Sequence, residues 1–259
     1  MTYGVFLRPK DKILILGASG KLGKALKKNK YFKKAETPDR KKLNILNKKQ
    51  IRSFLKKKFK IVINCAAISE VKKCELNPKL AYKVNVIGVK NLVDEIKIFN
   101  KKNNYKILLI HLSSDAVYSP NNGNNKELSP LNPYNNYGKT KLKSEKIVNK
   151  LGNYLIVRTR FFDKKKIKFK DAAIDIFSSM LEVKYIVTNL IFLIKIGFKG
   201  IINVGGPKIS DYEAIKRYKK NIKKIKAIDI LKNLNYKIAT NASLNISLLK
   251  KLKKKYEKA

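Results

Sequence analysis

Gly17, Gly20 and Gly23 stand at three-residue intervals directly after the apolar run Ile13-Leu14-Ile15-Leu16, and they open a stretch in which Leu22, Ala25 and Leu26 recur at helical spacing. A buried strand that turns through closely spaced glycines into a helix is the layout of a nucleotide-binding turn. Glycine lets the backbone approach a pyrophosphate closely, and the helix start offers unsatisfied N–H groups and the positive end of its dipole. Gly17, Ser19, Gly20, Lys21, Leu22 and Gly23 are therefore the candidate cofactor-binding residues of this turn. The competing reading is a tight strand-to-helix turn that holds no ligand. The spacing is GxxGxxG, not the GxGxxG of two-domain dehydrogenases, so it is the position between strand and helix that supports the nucleotide reading.

The pattern then alternates. A helical stretch near 47–58 is followed by Ile61-Val62-Ile63-Asn64-Cys65, a long helix near 77–99 and the run Ile107-Leu108-Leu109-Ile110-His111-Leu112. A loop rich in Asn, Gly and Pro (Ser119 to Pro133) precedes a helix carrying Tyr137 and Lys141, and Tyr154 to Val157 reads as the next strand. Strands alternating with helices predict an α/β fold with a doubly wound parallel (Rossmann) sheet. The 259 residues, 44% of them apolar, suffice for such a domain and a small lobe. The expected division is a dinucleotide-binding domain over 1–160 and a smaller C-terminal substrate-binding lobe over 161–259, partly interleaved with the sheet. The last hundred residues are less regular, with a strand at Gly200 to Val204, a helix from Asp211 and a basic amphipathic tail from about Ser247.

Tyr137 and Lys141 lie four apart, so a helix sets them on one face, where an ammonium can lower a phenol's pKa from about 10 and grip a ribose hydroxyl. With so many lysines, coincidence is a serious competitor, and Tyr212 and Lys216 form a second such pair. Context separates the two. Tyr137 follows an apolar strand ending in Ser113-Ser114-Asp115, at the carboxyl edge of the sheet where ligands of α/β folds sit.

The formal net charge of +43 would by itself suggest a polyanionic partner. Of the 61 basic residues, however, only Arg8, Arg40, Arg52, Arg158, Arg160 and Arg217 are arginines. The rest are lysines scattered among abundant Ile and Asn, a mixture that a genome biased toward A and T produces. Base readers rely on clustered arginine forks and aromatic stacking platforms, so no specific nucleic-acid partner is expected. Met1 to Lys12 does not resemble a signal peptide. The longest apolar run, Tyr185 to Ile194, falls short of the roughly 20 residues needed to span a bilayer, so no membrane span and a cytoplasmic location are expected. Cys65, Cys74 and the single His111 lack metal-ligand spacing, and the thiols fit a reduced core. His111, inside an apolar strand, is expected to be a satisfied core residue and not a base. Phe161-Phe162 likewise reads as packing.

At this point the sequence resembles the extended short-chain dehydrogenase/reductases, and within them the dTDP-4-dehydrorhamnose reductase family. The family's S-T-D-Y-V-F stretch appears as Ser113-Ser114-Asp115-Ala116-Val117-Tyr118. Its N-P-x-N-x-Y-G-x-x-K stretch appears as Asn132-Pro133-Tyr134-Asn135-Asn136-Tyr137-Gly138-Lys139-Thr140-Lys141. The resemblance implies Ser114, Tyr137 and Lys141 as catalytic residues. Asn64-Cys65-Ala66-Ala67 looks like the family's cofactor-facing N-A-A-A, Val71-Lys72-Lys73-Cys74-Glu75 like its V-D-K-A-E, and Asn85 matches the Asn of the following helix, which adds Asn64, Ala66, Ala67 and Asn85 to the cofactor set. Asn203-Val204-Gly205-Gly206-Pro207 and Ala242-Ser243-Leu244-Asn245 echo two further family segments.

The implied reaction is reduction of the C4 ketone of a nucleotide-linked sugar by NADPH or NADH. Tyr137 would protonate the oxygen, Ser114 polarise the carbonyl and Lys141 orient ribose and phenol. In Pro38-Asp39-Arg40, Asp39 would favour a free ribose hydroxyl and Arg40 a 2′-phosphate. The partner would be a nucleotide-sugar substrate, and a homodimer is allowed. Two alternatives stay open: an epimerase or dehydratase with tightly held NAD, and a non-catalytic dinucleotide-binding subunit. The second is motivated by departures from the family. Ala116 replaces an aromatic, Asn44 stands where an Asp would face adenine, Phe161 to Asp171 is short and Lys-rich, and Asp175-Ile176-Phe177-Ser178-Ser179-Met180-Leu181 lacks the Gly and Pro of the substrate-loop signature.

Overall fold

The computed structural model describes residues 11–162, 164 and 170–257. The signal-peptide question at 1–10 and part of the Lys-rich run at 161–171 lie outside the described residues.

The apolar runs become strands because their β-branched and leucine side chains pack on both faces at once. β1 (Ile13–Leu16) leads through the glycine turn into α1 (Lys21–Lys28), then come α2 (Lys48–Leu55) and β2 (Ile61–Asn64). α3 (Val71–Leu76) and α4 (Pro78–Tyr82) follow, and α4 continues through a wider π turn at Lys83–Ile87 into α5 (Gly88–Asn103). β3 (Leu108–Leu112), α6 (Asn136–Asn149) and β4 (Tyr154–Thr159) complete the first part. The second part carries short strands β5 (Phe161–Phe162), β6 (Asp171–Ala173), β7 (Phe177–Ser178) and β8 (Leu181–Glu182), then α7 (Val183–Lys195) and β9 (Gly200–Val204). It closes with β10 (Ile209–Ser210), α8 (Asp211–Lys216), β11 (Lys223–Ile225), α9 (Ala227–Leu231) and α10 (Ser247–Glu257).

The main sheet runs β1-β2-β3-β4-β9 with every pair parallel. Side chains alternate between two cores, as the period of two in a strand requires. Ile13, Ile15, Ile61, Ile63, Ile110 and Val157 pack under α1 and α7, against Leu26, Leu190 and Leu193. Leu14, Leu16, Val62, Leu109 and Ile156 face the other way, against Ile51 of α2 and Val89, Leu92 and Ile96 of α5. The doubly wound expectation is met. β9, α7 and α10 all join this body from beyond residue 160.

The strand that should follow α1 is reduced to one residue. Glu36 bridges Leu14 in parallel, exchanging backbone hydrogen bonds with Ile13 and Ile15 at 2.9 and 2.8 Å. Even so, the chain passes to one side of β1 at Glu36 and returns on the other as β2, which opens a crevice beyond the carboxyl ends of β1 and β2.

Candidate active site

Gly17 leaves β1 with a φ of +74°, a conformation costly for any residue with a Cβ, and a Cβ there would stand 2.6 Å from the Ala66 nitrogen. A Cβ on Gly23 would stand 2.3 Å from the Gly17 carbonyl oxygen, whereas one on Gly20 would make only a 3.4 Å contact with that oxygen. Gly17 and Gly23 are thus demanded by the fold itself. Gly20 is not, and it caps α1 with no side-chain hydrogen bond and no acidic residue in the first turn. The helix start therefore keeps its N–H groups and positive end for an anion. A pyrophosphate fits this cradle.

Opposite, the loop after β2 is built by Asn64 and Asn85. Asn64 Oδ1 accepts the Ala66 N–H at 3.1 Å. Asn85, buried in the π turn, accepts the Ile68 N–H at 2.8 Å and donates to the Ile68 carbonyl at 2.9 Å and to Thr140 Oγ1 at 3.0 Å. Both amides are spent on shaping the crevice wall, and Ala66 and Ala67 present small, half-buried surface beside it. Asp39 Oδ1 accepts the Lys42 N–H at 2.9 Å, and that bond lowers the carboxyl's pKa. Arg40, Lys41 and Lys42 stay exposed around it. Asn44, in the adenine position of the family pattern, closes a turn onto the Leu46 N–H at 3.0 Å.

Ser114 ends the segment after β3. Its hydroxyl donates to Asp115 Oδ1 at 2.9 Å and accepts the Ala116 N–H at 3.2 Å. Asn135 caps α6 by accepting the Gly138 N–H at 2.9 Å, and Glu75 of α3 accepts both the backbone and side-chain N–H groups of Asn136 at 2.6 and 2.7 Å. The helix is thereby fixed at its first turn, one residue from Tyr137. Burial pushes the Tyr137 phenol up to about 12, and its hydrogen bond with Ser114 acts in the opposite direction. This corrects the expectation that Lys141 lowers that pKa. Lys141 is buried, and its Nζ contacts His111 Nε2 at 3.2 Å. Burial brings the ammonium down to about 8.

Arg160 lies beside Tyr137 with Nη1 3.9 Å from Asp115 Oδ2. Burial raises the carboxyl pKa of Asp115, and that of Asp211 at the start of α8, against the pull of Arg160. Neither Asp115 Oδ2 nor Asp211 Oδ1, both buried, has a hydrogen-bond partner among the described residues.

Several supports escaped the reading of the sequence. Arg158 is 1% exposed, holds Glu145 through Nη2–Oε2 at 2.7 Å, and donates to the Tyr118 hydroxyl at 3.0 Å and the Glu127 carbonyl at 2.8 Å. Ser113 Oγ also donates to Glu145. Tyr118 in turn donates to Asn203 at 2.7 Å, and Asn203 reaches the Asn125 and Asn245 carbonyls. Glu145 could have been found, since it continues the Tyr137, Lys141 row by another four residues. The second Tyr–Lys pair is structural. Tyr212 is buried with Ala172, Ile215 and Ile222, and Lys216 lies over its ring. Phe161 and Phe162 pair with β8, and Phe162 packs on Tyr218, as expected of packing residues. Asp175, in the altered substrate-loop stretch, accepts the Ala227 N–H at 2.6 Å.

A parallel doubly wound sheet, a glycine turn after β1, Ser114 beyond β3 and Tyr137 and Lys141 on α6 form the arrangement that the resemblance to short-chain dehydrogenase/reductases implies. The family model described as "RmlD substrate binding domain" matches residues 11–185, and the chain belongs to that family. It is 32% identical over 156 residues to a dTDP-4-dehydrorhamnose reductase of Aggregatibacter actinomycetemcomitans, covering 57% of this chain and 50% of that protein. It is also 32% identical over 157 residues to methionine adenosyltransferase 2 subunit beta of Bos taurus, covering 56% and 45%. The chain spans about half the length of the curated relatives it matches. Among solved structures, a dTDP-4-dehydrorhamnose reductase ortholog of Clostridium acetobutylicum superposes with a TM-score of 0.80 at 26% identity, covering 92% of this chain and 91% of that one. The Bacillus anthracis dTDP-4-dehydrorhamnose reductase in complex with NADP gives 0.81 at 22% identity, a likeness of fold, covering 94% and 92%. No described helix is long and apolar enough to cross a membrane.

Proposed function

We propose that this chain is an NAD(P)H-dependent reductase of a nucleotide-linked 4-keto sugar, similar to dTDP-4-dehydrorhamnose reductase. The observation that carries the reading is the convergence of Ser114, Tyr137 and Lys141 beside the glycine cradle, at the carboxyl edge of one parallel sheet. Gly17, Gly20, Gly23 and the start of α1 would hold the pyrophosphate, and Lys141 the adjoining ribose. Asp39 is committed to its own turn while Arg40, Lys41 and Lys42 are exposed around it, which favours NADPH over NADH. The bound nicotinamide supplies a hydride to the substrate carbonyl carbon.

The chain's own residues handle the proton. Tyr137, with its raised pKa, is fully protonated at neutral pH and donates its phenolic proton to the carbonyl oxygen. Ser114 turns its hydroxyl proton from Asp115 to donate to the same oxygen and then to the phenolate left behind, and Arg160 adds positive charge there. Asp115 and Asp211, the carboxyl groups that flank Arg160, would take sugar hydroxyls in this reading, with the short strands β6, β7, β10 and β11 as the substrate side within 161–259. A cytoplasmic setting, a homodimer and the absence of a specific nucleic-acid partner accompany this reading.

The test is loss of NADPH and NADH absorbance on adding dTDP-4-dehydrorhamnose to the protein, with Tyr137→Phe and Tyr212→Phe alongside. Consumption by wild type and Tyr212→Phe, lost in Tyr137→Phe, is the expected result. A protein that binds the dinucleotide but consumes none of it would overturn the reductase reading. It would favour a non-catalytic subunit, to which the altered stretch 175–181 and the relatives named as a subunit beta would then point.

A further inference from the structure

His111 is the sole histidine of the chain, and both of its ring nitrogens are engaged inside the protein. The direction of each hydrogen bond follows from one backbone group. Ala66 N–H can only donate, so the Asn64 atom that receives it at 3.1 Å is the carbonyl oxygen Oδ1. The other end of that amide, Nδ2, is a donor, and it faces His111 Nδ1 at 3.3 Å. Nδ1 therefore accepts, and the ring proton belongs on Nε2. Nε2–H donates to Ser144 Oγ at 3.0 Å, and the Ser144 hydroxyl passes its own proton to the Lys141 carbonyl at 2.7 Å. Four links, Ala66, Asn64, His111 and Ser144, run in one direction with no conflict.

The consequence falls on Lys141. Its Nζ lies 3.2 Å from Nε2, and in this tautomer Nε2 has no lone pair to offer an ammonium. The other titratable groups around Nζ do not fill the gap. Glu145, on the same helix, is paired with Arg158. Burial raises the thiols of Cys65, in the loop after β2, and Cys74, on α3, to about 12 and about 11, so both are uncharged at neutral pH. No ion pair to Lys141 Nζ exists among the described residues. We propose that His111 is a positioning residue for Lys141. Held as the Nε2–H tautomer by the chain from Ala66, it denies the buried amine an acceptor among the described residues, so that Lys141 takes its acceptor from the ribose of a bound dinucleotide. This rests on the dinucleotide reading above. Burial lowers both groups, and the Lys141 charge lowers His111 further, in agreement with the geometry.

The test uses the full chain labelled with 15N, in which a long-range proton–nitrogen spectrum contains a single imidazole. The expected spectrum shows a neutral ring protonated at Nε2 at neutral pH, with a step near pH 8 that reports Lys141 and is absent in Lys141→Met. In Asn64→Asp, a carboxylate receives both the Ala66 N–H and an Nδ1–H. The ring tautomer switches, Nε2 becomes an acceptor, the step moves up by one pH unit or more, and NADP+ binding weakens on the order of tenfold, the equivalent of one net hydrogen bond. Ser144→Ala keeps the Nε2–H tautomer. A wild-type ring protonated at Nδ1, a charged ring at neutral pH, or a ring blind to Lys141→Met would each overturn the proposal. The ring results stand without any ligand, so their success with no NADP+ binding at any concentration would fail the dinucleotide reading instead.

Discussion

Gly138 lies so close to Ala116 that a Cβ would stand 2.2 Å from the Ala116 carbonyl oxygen. The contact joins the first turn of α6, which carries Tyr137, to the turn that Ser114 initiates, and so sets the spacing between the two hydroxyls. Gly138→Ala must push helix and turn apart. The expected outcome is a loss of stability of about 1–3 kcal/mol from overpacking and a fall in kcat on the order of 100-fold from misplaced groups. Denaturant unfolding and steady-state reduction of the sugar nucleotide check the two effects separately.

The three glycines of the turn should behave differently. Gly17→Ala and Gly23→Ala force a Cβ into backbone, and each is expected to cost about 1–3 kcal/mol of stability. Gly20→Ala meets only an ordinary contact and should unfold at the wild-type denaturant midpoint while its NADPH affinity drops. Equilibrium unfolding and fluorescence titration with NADPH distinguish the cases.

Lys141 has a stability signature of its own. Its folded pKa, about 8, lies below the ordinary value of 10.5. Between those two values the unfolded chain binds more protons than the folded one, so stability rises with pH across this window and is flat below it. The full difference amounts to about 3 kcal/mol. The gain of wild type over Lys141→Met between pH 8 and 10.5, followed by urea unfolding, is the expected result, and parallel curves would refute it.

Arg158 and Glu145 form a buried pair, and removing one partner strands the other charge. Arg158→Met is expected to destabilise by about 3–5 kcal/mol, and adding Glu145→Leu should recover much of that loss. A double-mutant comparison by chemical denaturation reads the difference directly.

What could be read from the chain was what is written locally. The glycine turn, the continuous apolar strands and the Tyr137, Lys141 spacing are patterns within a few residues, and the structure realises each. Glu36 shows the limit. A strand reduced to one bridging residue has no periodicity, so its position follows only from the edge of β1 that it covers. The orientation of Lys141, on α6, was equally hidden, because it depends on His111, thirty residues earlier on β3. His111 itself is satisfied in the core as expected, yet its contact with Lys141 arises where strand and helix meet. Asn64 and Asn85 stood out as residues near a cofactor, but the structure shows their amides holding the loop between them, a role that requires knowing which backbone groups the fold leaves unpaired.

The wide turn at Lys83–Ile87 lets one continuous helix obey two masters. Asn85 must point at the crevice loop, while Val89, Leu92 and Ile96 must point at the sheet. A straight α-helix advances 100° per residue and fixes the phase between those two sets, whereas a π turn shifts it by an inserted residue. The segment thus acts as a phase adjuster. A one-residue deletion within 83–87 would leave a perfectly regular helix able to serve the core or the crevice, but not both.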